Sequence, residues 1–282
     1  MKNMCEISVI MPIYNQGRYV KEAIESVLMQ SFVNFEFIII DASPINDILP
    51  VVQTYKDERI KFAQGKQDIH DTINKEIGTA NGKYIAFMDS DSLMHIDRLK
   101  IQYAIMQEYA NIVVCGTWMD VFNRTKYANN KLHAVTGFVE KPLLKLLQGN
   151  ILLRATAMLR KDFVRRNALK YEIYPHAEDY KLWIEIAKLG GGFYIESQPL
   201  LFRQPLTEEI TNRYKEEQDK SIEKVTNEIL EYIIAQNKDE YPELPIIYNG
   251  LCKLLKRNIL TQSDISVFYH NLFSKNEREL KL

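Results

Sequence analysis

Apolar positions along this chain follow two rhythms. Short unbroken runs end or begin elements at Ile7-Ser8-Val9-Ile10-Met11, at residues 35–40 and at Tyr84-Ile85-Ala86-Phe87-Met88. Runs of that length and content read as strands buried on both faces. Between them, Val20, Ala23, Ile24, Val27 and Leu28 recur at helical spacing, and so do Ile96, Leu99, Tyr103 and Met106. Residues 48–55 read as a further helix, and 60–63 and 112–115 as further strands. Asp71 is expected to cap a helix running to Ala80, with Ile73, Ile77 and Ala80 inward and Gly82 just past its end. Strand and helix alternate in this way over about 110 residues, which predicts the α/β class and a doubly wound, mostly parallel sheet flanked by helices.

Past Thr117 the pattern blurs. Residues 155–159 resemble a strand. Residues 180–189 form a helix carrying Leu182, Ile186 and Leu189 on one side, stopped by Gly190-Gly191-Gly192, and 193–195 close as a strand. From Thr207 the composition shifts to a long charged helix striped by Ile222, Val225, Ile229 and Ile233. Pro242 and Pro245 interrupt it, and two more helical segments follow. The reading divides the chain into an α/β domain, 1–206, and a helical C-terminal appendage, 207–282. Such a stripe packs on its own domain or on a second copy, so a homodimer through these helices is compatible with it. Lys253, Lys256 and Arg257 leave peripheral contact with an anionic membrane open.

Composition narrows the function classes. With 282 residues, 46% hydrophobic and 26% charged, the chain has an ordinary globular make-up. A net charge of −1 gives no electrostatic case for nucleic acid. Cys5, Cys115 and Cys252 lack metal-ligand spacing and read as reduced thiols of a cytoplasmic protein. The N-terminus passes at once into a strand pattern, so no secretory leader is expected. No apolar run approaches the roughly 18 residues of a membrane span, so membrane contact is expected only at the inner surface.

Chemistry enters where the third buried run stops, at Asp89-Ser90-Asp91. The C-terminal edge of a parallel sheet is where α/β proteins bind ligands. Two carboxylates one residue apart repel each other, and a divalent cation between them relieves the repulsion. Hard oxygen ligands suit Mg²⁺ or Mn²⁺, which share their coordination with substrate phosphates. Taken alone, the stretch is equally explained by turn residues capping the next helix.

The chain resembles the family 2 glycosyltransferases of the GT-A fold, enzymes that move a sugar from a nucleotide donor with inversion. The resemblance rests on Ser8-Val9-Ile10-Met11-Pro12-Ile13-Tyr14-Asn15, on Ala23-Ile24-Glu25-Ser26-Val27-Leu28-Met29-Gln30 and on Phe35-Glu36-Phe37-Ile38-Ile39-Ile40-Asp41. It continues at Gly82-Lys83-Tyr84 through Asp91 and at Ala177-Glu178-Asp179-Tyr180-Lys181-Leu182-Trp183. It implies that Pro12, Tyr14, Asp41, Asp71, Asn74, Asp89 and Ser90 hold the nucleotide sugar, with UDP favoured. Ala42 stands where relatives carry a second acid, and Ile73 where many carry arginine. The resemblance further implies Asp91, with Asp89, as metal ligands and Mn²⁺ or Mg²⁺ as cofactor. It implies Asp179 as the base that takes the acceptor hydroxyl's proton, and Glu178, Trp183 and Arg154 on the acceptor side. Arg203 is a candidate diphosphate contact, and His176 is left out of the metal set. The acceptor is expected to be a glycan or lipid-linked hydroxyl. A nucleotidyltransferase would need a Gly-rich basic loop after the first strand, and a dinucleotide enzyme its Gly-x-Gly-x-x-Gly signature; both are missing. The remaining rival is a catalytically degenerate nucleotide-sugar-binding or scaffold protein.

Overall fold

A computed structural model describes residues 5–13, 19–43, 48–65, 69–121, 135–203 and 214–275. The elements run β1 (Ile7–Ile13), α1 (Val20–Leu28), β2 (Phe35–Asp41), α2 (Ile48–Val52), β3 (Ile60–Gln64), α3 (Ile69–Thr79), β4 (Tyr84–Phe87) and β5 (Ser92–Met94). Then come α4 (Arg98–Glu108), β6 (Ile112–Val121), β7 (Gly137–Phe138), α5 (Pro142–Leu147), a 3₁₀ turn (Arg154–Thr156), β8 (Met158–Arg160) and α6 (Lys161–Arg166). The chain continues with α7 (Glu178–Lys188), β9 (Gly192–Arg203), α8 (Lys215–Asn237), α9 (Glu243–Lys256) and α10 (Gln262–Lys275).

The strands form one sheet in the order β3-β2-β1-β4-β8-β6-β9-β5, with β7 also on β9. As expected, β1 to β4 are parallel. The second half is mixed: β8 runs antiparallel between β4 and β6, and β5 and β7 run antiparallel to β9.

Alternation along the strands sorts the core into two layers. Ile10, Ile38, Ile40, Ile85 and Phe87 face α3, α5 and α7. Val9, Met11, Phe37, Ile39 and Ala86 face α1 and α4. The C-terminal helices join the first layer: Val225, Ile229 and Ile233 of α8 and Ile265, Tyr269 and Phe273 of α10 lie in the same apolar cluster as α5 and α7. Lys181 of α7 also meets Glu228 of α8 at 2.6 Å. No helix among the described residues is long and apolar enough to cross a membrane.

Three local expectations need correction. Asp71 lies inside the first turn of α3 and does not precede it, so it favours the helix dipole but is not the cap. Leu189 and Ile96 lie just outside their helices and are exposed. Gly82 follows α3, yet what demands glycine there is space: a Cβ would stand 2.4 Å from the Ser8 nitrogen and 2.7 Å from the Ile7 carbonyl carbon. Its N–H donates to Ser8 Oγ at 2.9 Å. Gly82→Ala should therefore lower stability by about 3 kcal/mol. Gly78→Ala, where nothing lies within 4 Å, should raise it by about 0.5–1 kcal/mol; urea unfolding of both variants checks the contrast.

Candidate active site

The site starts from a strand that stops. β4 ends at Phe87 and releases Asp89, Ser90 and Asp91 at the C-terminal edge of the parallel strands. The chain turns straight back as β5, whose Ser92 pairs in register with Arg203 at the end of β9. That register sets Arg203 Nε 3.2 Å from Asp91 Oδ2, while Ser92 Oγ donates to Asp91 Oδ1 at 3.1 Å. Arg154, at the head of the 3₁₀ turn, places Nη2 2.8 Å from Asp89 Oδ1. These four charged side chains, with Pro12 from β1, Ile69 from α3 and Ser90, line a cavity of about 240 Å³.

Asp179 belongs to the same constellation. It is the second residue of α7, and its Oδ1 accepts the Tyr180 N–H at 2.8 Å. Its Oδ2 accepts from Asn150 Nδ2 and from the backbone N–H of Arg154, each at 3.3 Å. Arg154 is thus a bridge: its guanidinium holds Asp89 and its backbone holds Asp179. Beside it, Glu178 meets His70 Nε2 at 3.2 Å and accepts the His176 N–H at 3.2 Å.

The electrostatics divide the carboxylates into two kinds. Burial works against the charged form of Asp89, but Arg154 and Arg203 outweigh it and hold its carboxyl below the ordinary range. Burial also opposes Glu178's charge, and His70 and backbone N–H donors together outweigh it, so its carboxyl is lowered. At Asp179 burial wins, and its carboxyl is raised in spite of Arg154 and two N–H donors. A raised carboxyl at the head of a helix is the setting of a group that accepts a proton.

Other expected residues fall in several places. Pro12 lines the cavity. Asp41 is fully buried at the end of β2; Oδ1 accepts the Ser43 N–H at 2.9 Å, and Oδ2 has no hydrogen-bond partner among the described residues. Tyr14 lies outside the described residues. Asp71 is exposed on α3. Asn74 clasps the backbone of Tyr171, donating to its carbonyl at 2.9 Å and accepting its N–H at 2.8 Å, so it shapes a wall. The expectation that Trp183 offers a platform to an acceptor is corrected. Its ring is fully buried and its Nε1 donates to the Leu152 carbonyl at 2.9 Å, because α7 turns this position into the core. His176 faces Glu217 at 3.7 Å.

Four contributors were missed. Asn150 reaches Asp179, and no motif marks it. His70 pairs with Glu178. Tyr171 packs edge-on to Phe87 at 5.7 Å, and its buried hydroxyl has no partner among the described residues. Arg98 is fully buried, and burial pulls its guanidinium down to about 9; it adds positive potential at Asp89. Arg98 and Gln102, four apart and joined at 3.0 Å, were legible as a polar pair inside an apolar stripe.

The donor set fits a divalent cation. Asp89 and Asp91 are hard ligands on one small cleft, and Asp89 Oδ2 accepts no hydrogen bond from a described residue. Among the described residues no cluster of three or more acids, histidines or cysteines makes a closed cage. Two carboxylates with room for phosphate oxygens are what Mg²⁺ or Mn²⁺ takes in such sites.

Comparisons with known proteins bear on the family and the fold. The model of the family described as glycosyl transferase family 2 matches residues 8–167, more than half of the chain. An uncharacterized glycosyltransferase of Rickettsia felis is 34% identical over 192 residues, covering 66% of this chain and 31% of the relative. One of Haemophilus influenzae is 26% identical over 246 residues, covering 83% of this chain and 76% of the relative. The chain therefore spans about a third of the length of the Rickettsia relatives it matches. Among solved structures, S. aureus TarS 1-349 in complex with UDP-GlcNAc superposes with a TM-score of 0.64 at 20% identity, over 81% of this chain and 66% of that one. The fold is GT-A, with a mixed α/β sheet and C-terminal helices. The chain belongs to glycosyl transferase family 2.

Proposed function

We propose that the protein is an inverting glycosyltransferase that moves a sugar from a nucleotide diphosphate, most readily UDP, to a hydroxyl of a glycan or lipid-linked acceptor. The observation that carries this reading is the Arg154 bridge, which keeps Asp89 and Asp179 within reach of one ligand. In-line displacement requires donor and base on opposite sides of the anomeric carbon, and Arg154, which lines the cavity and also holds Asp179, supports that arrangement. The UDP-GlcNAc complex of TarS, a protein of the same fold, supports a UDP-sugar as donor.

In this reading Asp41 and Pro12 border the base of the nucleotide. Asp89 and Asp91 would hold a Mn²⁺ or Mg²⁺ ion, and that ion would supply positive charge for the departing diphosphate. Arg203, 3.2 Å from Asp91, adds a second positive group on that side. Asp179 takes the proton of the acceptor hydroxyl as its oxygen attacks the anomeric carbon, and the bond to the diphosphate breaks. Glu178, held by His70, keeps the helix start in place. The degenerate-scaffold alternative is disfavoured by the chain keeping Asp89, Asp91 and Asp179 together, with Asp89 and Asp179 both held by Arg154.

UDP release from a panel of UDP-sugars, measured with Mn²⁺, tests the proposal. Wild type should turn over at least one donor, and Asp91→Ala should lower the rate by about 100-fold or more. Equal rates in the two proteins, or no release from any donor, would count for the scaffold.

A further inference from the structure

A cavity of about 610 Å³ lies outside the site above, between the end of α5 and the helices α8 and α10. Gly149 forms one wall, Asp219, Ile222 and Glu223 of α8 another, and Gln262 and Val267 of α10 the third. Resting on the glycosyl-transfer reading, we propose that this cavity is the acceptor subsite and that it takes a neutral or amino-bearing oligosaccharide, not an anionic polymer.

Two walls are tied to the base. Gly149 precedes Asn150, whose amide meets Asp179 at 3.3 Å, so the cavity reaches to within about 10 Å of that carboxylate along the chain. Gln218, one residue before Asp219, donates to the His176 carbonyl at 3.1 Å, two residues before Glu178. A glycan longer than one sugar spans both places. The lining suits such a ligand. Ile222 and Val267 are 36% and 56% exposed, apolar surface against which the C–H faces of a sugar ring can pack. Gln262 is fixed in the wall by the hydrogen bond its Nε2 donates to Asn227 Oδ1 at 2.6 Å.

The carboxylates set the ligand's charge. Asp219 and Glu223 stand four apart on one helix face, where like charges repel and weaken the helix. Neither makes an ion pair with a described residue. Their field repels phosphate or sulfate and favours amino groups or plain hydroxyls.

The test uses the full chain on an array of neutral, amino-bearing and sulfated oligosaccharides, with UDP affinity measured alongside. Neutral or amino-bearing glycans should bind at least about tenfold better than sulfated ones. Val267→Trp, which fills the cavity from an exposed position, should weaken that binding by about tenfold or more with UDP affinity unchanged. Asp219→Lys with Glu223→Lys should turn the preference toward sulfated glycans. The proposal is overturned if sulfated glycans are preferred by wild type, if Val267→Trp leaves glycan binding intact, or if UDP binds and no oligosaccharide does. Glycan binding that depends on Val267 in a protein that does not bind UDP would instead sink the donor reading and keep the subsite.

Discussion

Asp179→Asn should reduce sugar transfer by about 10³-fold or more while leaving UDP binding within about twofold of wild type. The amide keeps the shape of the side chain but cannot take a proton from the acceptor. Donor affinity is spared because Asp179 contacts Asn150, Tyr180 and the Arg154 backbone, while the Arg154 guanidinium still holds Asp89. Stability gives an independent readout. Asp179's carboxyl is raised by burial, so it favours the fold below its unfolded-state pKa, and that contribution is lost as pH rises through the raised value. At neutral pH the ionised group opposes folding, while the amide leaves part of the carboxylate's N–H donors without an acceptor; the readout is therefore the pH dependence of stability, which the variant should lose. The same shift sets the pH dependence of transfer in wild type. Activity falls as pH is lowered through the raised value, so the acid limb lies above that of an ordinary carboxylate. Near-normal turnover in Asp179→Asn would remove the residue from the role of base.

Arg154→Met should cost both stability and activity. The guanidinium's partner Asp89 has a side chain only 23% exposed, and Arg154's own is 29% exposed. Removing one member of such a pair leaves a largely desolvated charge unmatched, and with this partial exposure the expected loss is about 2 kcal/mol. The sign with pH follows from Asp89's lowered carboxyl. Its stabilising contribution in wild type is present above the unfolded-state pKa and lost as pH falls through the lowered one. The deficit of the variant is therefore full at neutral pH and shrinks in acid, where protonation removes the unmatched charge. Urea unfolding at neutral and acidic pH, with the midpoint falling at unchanged slope, checks this. A deficit that stays constant down to acid would show that lost packing, not charge, is responsible.

The two ends of the chain differ in how much they disclose. β1, β2 and β4 are parallel strands covered on both faces, so they print as continuous apolar runs and their ends mark the ligand edge. Asp89, Asp91 and Asp41 were legible for that reason. β6 and β9 carry register shifts, and β9 exposes Ser197 and Gln198 in mid-strand, so neither keeps a clean rhythm. Arg203 acquires its place beside Asp91 only through the β5–β9 register, a long-range pairing with no local trace. Asn150 and Tyr171 sit on irregular segments, where composition says nothing of direction. Trp183 misled because one helix start carries both a site acid, Asp179, and a core residue one turn later. The tail's stripe was read correctly as a packing face for Val225, Ile229 and Ile233, while Ile222 turned out to border the larger cavity.

The central claim is that Asp89 and Asp91 grip a donor's diphosphate through a divalent cation. Calorimetric titration of UDP into the protein, with and without Mn²⁺, tests it most directly. The account predicts binding that strengthens by about tenfold or more with Mn²⁺ and loses that gain in Asp91→Asn. UDP affinity that is the same with and without the metal, and the same in the variant, would contradict it.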